Sequence, residues 1–131
     1  MSVGPVTRNE ATATFFDGTA RGEFLIRRCT KCGSASTPLA EQCPVCGSTS
    51  LDWEPASGGA SLVSWTVFHD PAEGEAPDKK TVLAIAELDE GPWWWSLLAS
   101  AEPGALRAGQ RLRLDFERNG DHEAVPIFRP T

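Results

Sequence analysis

All four cysteines of this chain fall in one short stretch, as two Cys-x-x-Cys pairs with ten residues between them: Cys29-Thr30-Lys31-Cys32-Gly33 and Cys43-Pro44-Val45-Cys46-Gly47. A Cys-x-x-Cys loop aims two thiolates at one cation, and the glycine after each pair lets the backbone take the positive φ that the turn needs. Two such loops facing each other complete a tetrahedral four-thiolate site. That donor set suits zinc, which binds soft sulfur well and imposes no geometry of its own, with rubredoxin-type iron as the chemical alternative. Two disulfides would need an oxidising compartment, and a thioredoxin-type redox pair would use one Cys-x-x-Cys rather than a matched couple. The expectation is one structural zinc per chain on Cys29, Cys32, Cys43 and Cys46. Such a site is closed, with no ligand position left for substrate, so no catalytic residue is assigned to it.

The 131 residues suit one domain, or a small metal-stapled module beside a compact barrel. A formal net charge of −6 suits nucleic acid poorly, because affinity there comes from counterion release by Lys and Arg. The apolar runs are too short for a membrane span. The start, Met1-Ser2-Val3-Gly4-Pro5, has no basic region followed by an apolar core. Reduced thiols and a cytoplasmic location are therefore expected. No tyrosine and only two histidines are present, which leaves few groups for catalysis.

The chain opens with a lead over residues 1–10. A short helix follows over Glu10–Arg21, with Asn9 to cap it, Gly22 to end it, and the adjacent pair Phe15-Phe16 as a wide apolar face for the chain's own core or for a partner subunit. Gly18 inside that span opposes the helix. Glu23–Arg28 reads as a strand with Phe24 and Ile26 on one face, Ser34–Gln42 as a short ribbon hairpin, and Leu51–Pro55 as an extended exit from the ribbon. Ser57-Gly58-Gly59 makes a joint where composition changes. Beyond it, Ala60–His69 alternates as a half-buried strand, Pro71–Lys80 is an exposed loop, and Val82–Leu88 is apolar enough for cover on both faces. Glu90-Gly91-Pro92 turns the chain into a strand over Trp93–Ala99. Pro103–Gly109 is a helical break. Leu112, Leu114 and Phe116 alternate with charged residues, Asn119-Gly120 marks a hairpin, and Ala124–Phe128 ends the set with Pro126 placing it at an edge. The predicted fold is mainly β: a helix over 1–22 with its lead, a rubredoxin-like zinc ribbon over 23–56, and a five-stranded OB-type barrel over 57–131.

In that order, Phe15-Phe16-Asp17-Gly18, the two knuckles, Val63-Ser64-Trp65-Thr66-Val67, Ala86-Glu87-Leu88-Asp89-Glu90-Gly91-Pro92, Gly109 and Pro126-Ile127-Phe128-Arg129-Pro130 resemble the zinc-ribbon/OB-fold family first catalogued as domain of unknown function thirty-five. The resemblance covers nearly the whole chain. It implies a hetero-oligomer with a thiolase-like subunit, acting on coenzyme A thioesters by Claisen, thiolytic or retro-aldol chemistry or by acyl transfer. The thiolase-fold partner usually supplies the nucleophile and bases. The zinc-ribbon chain shapes the complex and part of the acyl-CoA site, so a coenzyme A thioester is the expected shared ligand. The expected role is an accessory subunit, non-catalytic or co-catalytic.

Trp93-Trp94-Trp95 departs from the family pattern. In a strand Trp93 and Trp95 share a face with Leu97, while Trp94 points the other way with Leu98. A small barrel cannot hold three indoles, so a partner surface, the core, or contact with a bulky acyl group or CoA are the open readings. Lys79, Lys80, Arg107, Arg111, Arg113, Arg118 and Arg129 are candidates for CoA phosphates, against a plain solvated role for each. Arg27, Arg28 and Lys31 stand beside the thiolates and could offset their charge. His69 ends a strand and lacks a paired nucleophile, His122 between Asp121 and Glu123 reads as a solvated turn residue, and Glu87, Asp89 and Glu90 read as a strand end and turn. A nucleic-acid-binding OB module is the alternative function, opposed by seven basic against twelve acidic residues over 56–131. A rubredoxin-like electron carrier is a third.

Overall fold

The computed structural model describes residues 8–70, 79–99, 102–118, 120 and 122–131. Most of the expected lead, the Pro71–Lys80 loop up to residue 78, Asn119 and the side chains of His69 and Lys79 lie outside the described residues.

The helix α1 spans Ala13–Ala20, shorter than the expected Glu10–Arg21. Its lead-in is a turn closed reciprocally. The Thr12 N–H donates to Asn9 Oδ1 at 3.0 Å, and the Asn9 N–H donates to Thr12 Oγ1 at 2.9 Å. Asn9 thus caps this turn, and the helix proper begins after it. At the other end Gly22 takes φ +78°, the Glu23 N–H donates to the Gly18 carbonyl and the Gly22 N–H to Thr19, the paired bonds of a Schellman stop. Gly18, which spoke against a helix, is explained by packing. A Cβ there would lie 2.6 Å from Leu25 Cγ, so only glycine lets the helix close onto the first strand.

The ribbon is a three-stranded antiparallel sheet: β1 (Leu25–Cys29) in the centre, β2 (Ala35–Ser36) and β3 (Leu51–Pro55) on its flanks. The hairpin expected over Ser34–Gln42 does not form within that segment. Only two of its residues are strand, and they pair back onto β1; a turn with Ala40 N–H bonded to the Thr37 carbonyl follows, around Pro38, which has no N–H for a ladder. Leu51–Pro55, expected as an exit, is the ribbon's third strand.

The second sheet runs β4 (Gly59–Asp70), β5 (Lys79–Leu88), β6 (Trp93–Leu97), β7 (Arg111–Glu117) and β8 (Val125–Pro130), in spatial order β6-β5-β4-β7-β8, all neighbours antiparallel. It curls until β6 and β8 meet at one parallel bridge, Leu98 to Phe128. A 3-10 turn at Pro103–Ala105 carries the chain from β6 to β7. This is the expected five-stranded OB topology as a half-barrel. A register shift between Leu62 and Ser64 marks a β-bulge at Val63. Before it Ala60 and Leu62 face the core, and after it Trp65 and Val67 do. The alternation read from Val63 onward therefore holds only past the bulge.

One core serves every part. Phe15 and Phe16 of α1, Phe24 and Ile26 of the ribbon, and Leu62, Ala84, Leu88, Leu112 and Phe128 of the barrel form a single buried cluster. Cover on both faces of β5 is corrected. Val82, Ala84, Ala86 and Leu88 are buried, but the alternate face opens outward and Ile85 is 38% exposed.

Candidate functional site

The two cysteine loops are copies of one another. In the first, the Gly33 N–H donates to the Cys29 carbonyl, and the N–H groups of Lys31 and Cys32 point at Cys29 Sγ, both at 3.4 Å. In the second, the Gly47 N–H donates to the Cys43 carbonyl, and Val45 and Cys46 point theirs at Cys43 Sγ at 3.4 and 3.5 Å. Gly33 and Gly47 sit at φ +79° and +77°, the left-handed conformation that ends each loop. A serine follows each glycine, and its carbonyl accepts from the first cysteine's N–H, Ser34 for Cys29 and Ser48 for Cys43.

The four sulfurs lie within 4.8 Å of one another, with Cys29 to Cys46 at 3.6 Å and Cys32 to Cys43 at 3.5 Å. A tetrahedral ion with zinc–sulfur bonds of about 2.3 Å needs sulfurs about 3.8 Å apart. The quartet is gathered close to that cage, with two of its separations slightly under the ideal and none above 4.8 Å. Cys29 and Cys43 are buried, and Cys32 and Cys46 exposed. The Ser34 hydroxyl, the Ser34 backbone and the Cys43 sulfur bring the Cys32 thiol down to about 6. The Cys29 thiol is lowered by the N–H groups of Cys32 and Lys31. Cys46 feels the lowering pull of the Ser48 backbone, but the sulfur of Cys29 and burial outweigh it and lift the thiol to about 11. Four thiolates this close repel one another, and a divalent ion at their centre removes that cost.

Of the flanking cations, Arg27 and Arg28 bond backbone carbonyls of the ribbon. Arg28 donates to the Gly33 carbonyl at 2.9 Å and pairs with Glu54 at 2.7 Å. Arg27 donates to the Leu51 carbonyl and stacks 4.2 Å from the Trp53 ring centroid. Lys31 is exposed.

The second feature is the outer face of the barrel. Trp94 turns inward, meeting Phe24 edge-on with ring centroids 5.3 Å apart. Trp93 and Trp95 turn outward and are 55% and 64% exposed. The cross-strand partner of Trp95 is Ile85, and that of Trp93 is Glu87, whose carboxylate accepts from the Trp93 indole N–H at 3.1 Å. Phe68, also exposed, continues this face on β4. The tryptophan orientations match the sequence reading. Ile85 and Phe68 were missed, although their cross-strand neighbours on a half-covered sheet carry the signal.

The remaining candidates scatter. Arg111 forms a bidentate pair with Asp89, and Arg129 bonds Asp115. Arg118 donates to the Ala20 carbonyl at the helix end. Arg107, Arg113 and Lys80 are exposed, as is His122. Glu90 accepts the Ser57 N–H and so fastens the joint between the sheets. Gly59 lies under the Asp89–Arg111 pair, where a Cβ would strike both side chains. These arginines do not converge on one phosphate-sized site.

Two family profiles match. The "ChsH2, rubredoxin-like zinc ribbon domain" fits residues 16–52, and the "ChsH2, C-terminal OB-fold domain" fits residues 53–117. A "DUF35 domain-containing scaffold protein" of Pyrococcus furiosus is 30% identical over 89 residues, 63% of this chain and 65% of that relative, so the match spans just under two thirds of the relative's length. Among solved structures, a chain of the "Ltp2-ChsH2(DUF35) aldolase" superposes with a TM-score of 0.80 at 29% identity, covering 95% of this chain and 98% of its own. A DUF35-family protein of unknown function from Sulfolobus solfataricus shares the fold, with a TM-score of 0.66 at 15% identity over 94% of this chain and 87% of its own. Ribbon, barrel and their order along the chain agree with both profiles, and the chain belongs to the ChsH2-type (DUF35) family of zinc-ribbon/OB-fold proteins.

Proposed function

We propose that this chain is an accessory subunit of a thiolase-superfamily complex acting on acyl-CoA thioesters, making or breaking a carbon–carbon bond or transferring the acyl group. The observation that carries the reading is end-to-end similarity to a chain of an aldolase assembly, 29% identical with 98% of that chain covered. The four cysteines hold one structural zinc, which fixes the loops; the ribbon and α1 hold the barrel from below, and the barrel offers its open face to the partner. No catalytic role is assigned to this chain. Asp89, Asp115 and Glu123 stand in ion pairs with Arg111, Arg129 and Arg8. The thiolase-like partner supplies the nucleophile and bases. A coenzyme A thioester is shared between the two, and the complex works in the cytoplasm.

The test is co-expression with thiolase-like reading frames from the same genome. Recovery of a complex of fixed stoichiometry, whose acyl-CoA chemistry needs both chains, is the expected result. A chain that stays alone through purification and has no affinity for CoA thioesters refutes the proposal.

A further inference from the structure

Strand β6 has one edge in a ladder with β5, and among the described residues its other edge is bridged to β8 only at the C-terminal end, at Leu98. The Leu88 N–H donates to the Pro92 carbonyl at 2.8 Å and the Leu98 N–H to the Val82 carbonyl at 2.9 Å. In an antiparallel pair this sets the alternation: Trp94 and Ser96 turn their N–H and C=O groups to β5, and Trp93 and Trp95 turn theirs away. Ala99, in phase with Trp93 and Trp95, confirms the direction, since its N–H donates across the seam to the Phe128 carbonyl at 2.9 Å.

The seam stops there for a chemical reason. Two residues back in the same parallel register, the Trp95 carbonyl should receive the N–H of residue 126. That residue is proline and has none. The Pro126 carbonyl is taken by Ser96 Oγ at 2.6 Å. Among the described residues, β5 is therefore the only ladder partner of β6 over Trp93–Ser96. The two edge strands are also protected differently. β8 carries Pro126 and Pro130, the usual guard against further pairing, whereas Trp93-Trp94-Trp95-Ser96 has no proline, charge or bulge.

We propose that the open edge of β6 at Trp93–Trp95 accepts an extended segment of the partner subunit as an added strand. This rests on the accessory-subunit reading above. Outward N–H and C=O groups repeating every second residue, about 7 Å apart, match an extended peptide backbone. Both flanks of such a strand find apolar ground. On the outer side stand Trp93 and Trp95, with Ile85 behind them. On the inner side is an apolar groove of about 170 Å³, lined by Ala11, Phe15, Pro38, Leu39 and Trp94 among others. A strand whose apolar side chains point alternately to the two sides fills both.

Two arguments choose the occupant. The two indoles expose on the order of 300 Å², far below the ~800 Å² per partner of a stable interface, so pairing of two β6 edges alone does not sustain a dimer. The added strand must be one part of a wider contact. The net charge of −6, with Glu87 beside Trp93, favours basic residues flanking the apolar core of that segment.

The experiment uses the co-purified complex with the thiolase-like subunit. Amide hydrogen exchange read by NMR should show new protection at Trp93 and Trp95 on complex formation, while Trp94 and Ser96 are protected in the free chain as well. Trp95→Ala should weaken the complex about tenfold. Trp95→Pro also removes the outward N–H without touching the β5 ladder, and should cost about a further fivefold. Retained metal and protected Trp94 and Ser96 amides show that both variants are folded. If no subunit co-purifies, the accessory-subunit reading itself fails. If the complex forms but Trp95→Pro binds like Trp95→Ala and the Trp93 and Trp95 amides stay unprotected, strand addition alone is overturned. Protection of those amides in a dimer of the isolated chain assigns the edge to a second copy and overturns the partner as occupant.

Discussion

In the ribbon, two five-residue strands and one of two residues converge on four sulfurs, and the loop residues around them are mostly exposed. In the barrel, strands of five to twelve residues are held by an alternating face of Leu, Val, Ala and Phe that packs against itself. The ribbon tip has almost no apolar area to bury and depends on a metal; the barrel has ample apolar area and leaves some of it facing out. Between them, Phe24, Ile26 and Trp53 bring the ribbon base into the barrel core. The molecule divides between the ribbon's tip and everything below it, which is not where the two sheets divide. Chemistry is spent on rigidity at one end, and surplus hydrophobic surface is kept for contact at the other.

Metal removal should break this contrast most. Structural zinc contributes on the order of 10 kcal/mol in small sites. Chelation should therefore abolish amide protection over residues 29–50 while β4, β5 and β7 keep theirs, as hydrogen exchange can show. Equal loss in both regions would mean that the barrel is not independently held.

A mid-sized effect tests the junction. Gly→Ala inside a helix ordinarily stabilises by up to about 1 kcal/mol. At Gly18 the sign should reverse, with a loss of about 1–3 kcal/mol, because the new methyl would meet Leu25 Cγ at 2.6 Å. Urea denaturation of Gly18→Ala measures it, and a stabilised variant would show that α1 is not closed onto β1.

The smallest effect is electrostatic. Arg111 holds the Asp89 carboxyl below its usual range, and Arg129 together with the Phe116 N–H does the same for Asp115. Both folded values lie below the unfolded one, so the stabilisation is complete above about pH 4 and is lost as pH falls through the folded values. The partners are substantially exposed, so the gain is modest and screened by salt. Asp89→Asn should melt slightly below the unmodified protein at pH 7 and together with it at pH 2. A gap that persists in acid would assign the loss to packing around Gly59 and not to charge.

The features legible in the sequence are those with a local cause. Four cysteines at fixed spacing, glycines where positive φ is needed, and alternation over Leu112–Phe116 each refer to a few neighbouring residues. What escaped depends on how one element packs or pairs with another. The Val63 bulge is visible only once Ala60 and Leu62 are seen to share a side with Trp65 and Val67. Gly18 looked like a helix breaker until Leu25 was placed against it. The apolar run Val82–Leu88 suggested double cover, since a sequence cannot distinguish a face covered by its own chain from one open to another molecule. The Ser34–Gln42 hairpin failed because β2 finds its partner in β1, across the first cysteine loop.

Position along the chain also orders events in time. The ribbon's ligands span only residues 29–46, so a growing chain has added its whole set of metal ligands before the first residue of β4, Gly59, is joined. The helix has to wait. Its contacts to Trp94, and the Arg8 link that joins Asp17 to Glu123, need residues synthesised near the end. A nascent chain therefore carries a loaded ribbon on an unsettled helix until the last hairpin arrives. For that interval Phe15 and Phe16 have ribbon neighbours such as Phe24 but lack their barrel cover, which is when a chaperone or an early-arriving partner has access to them.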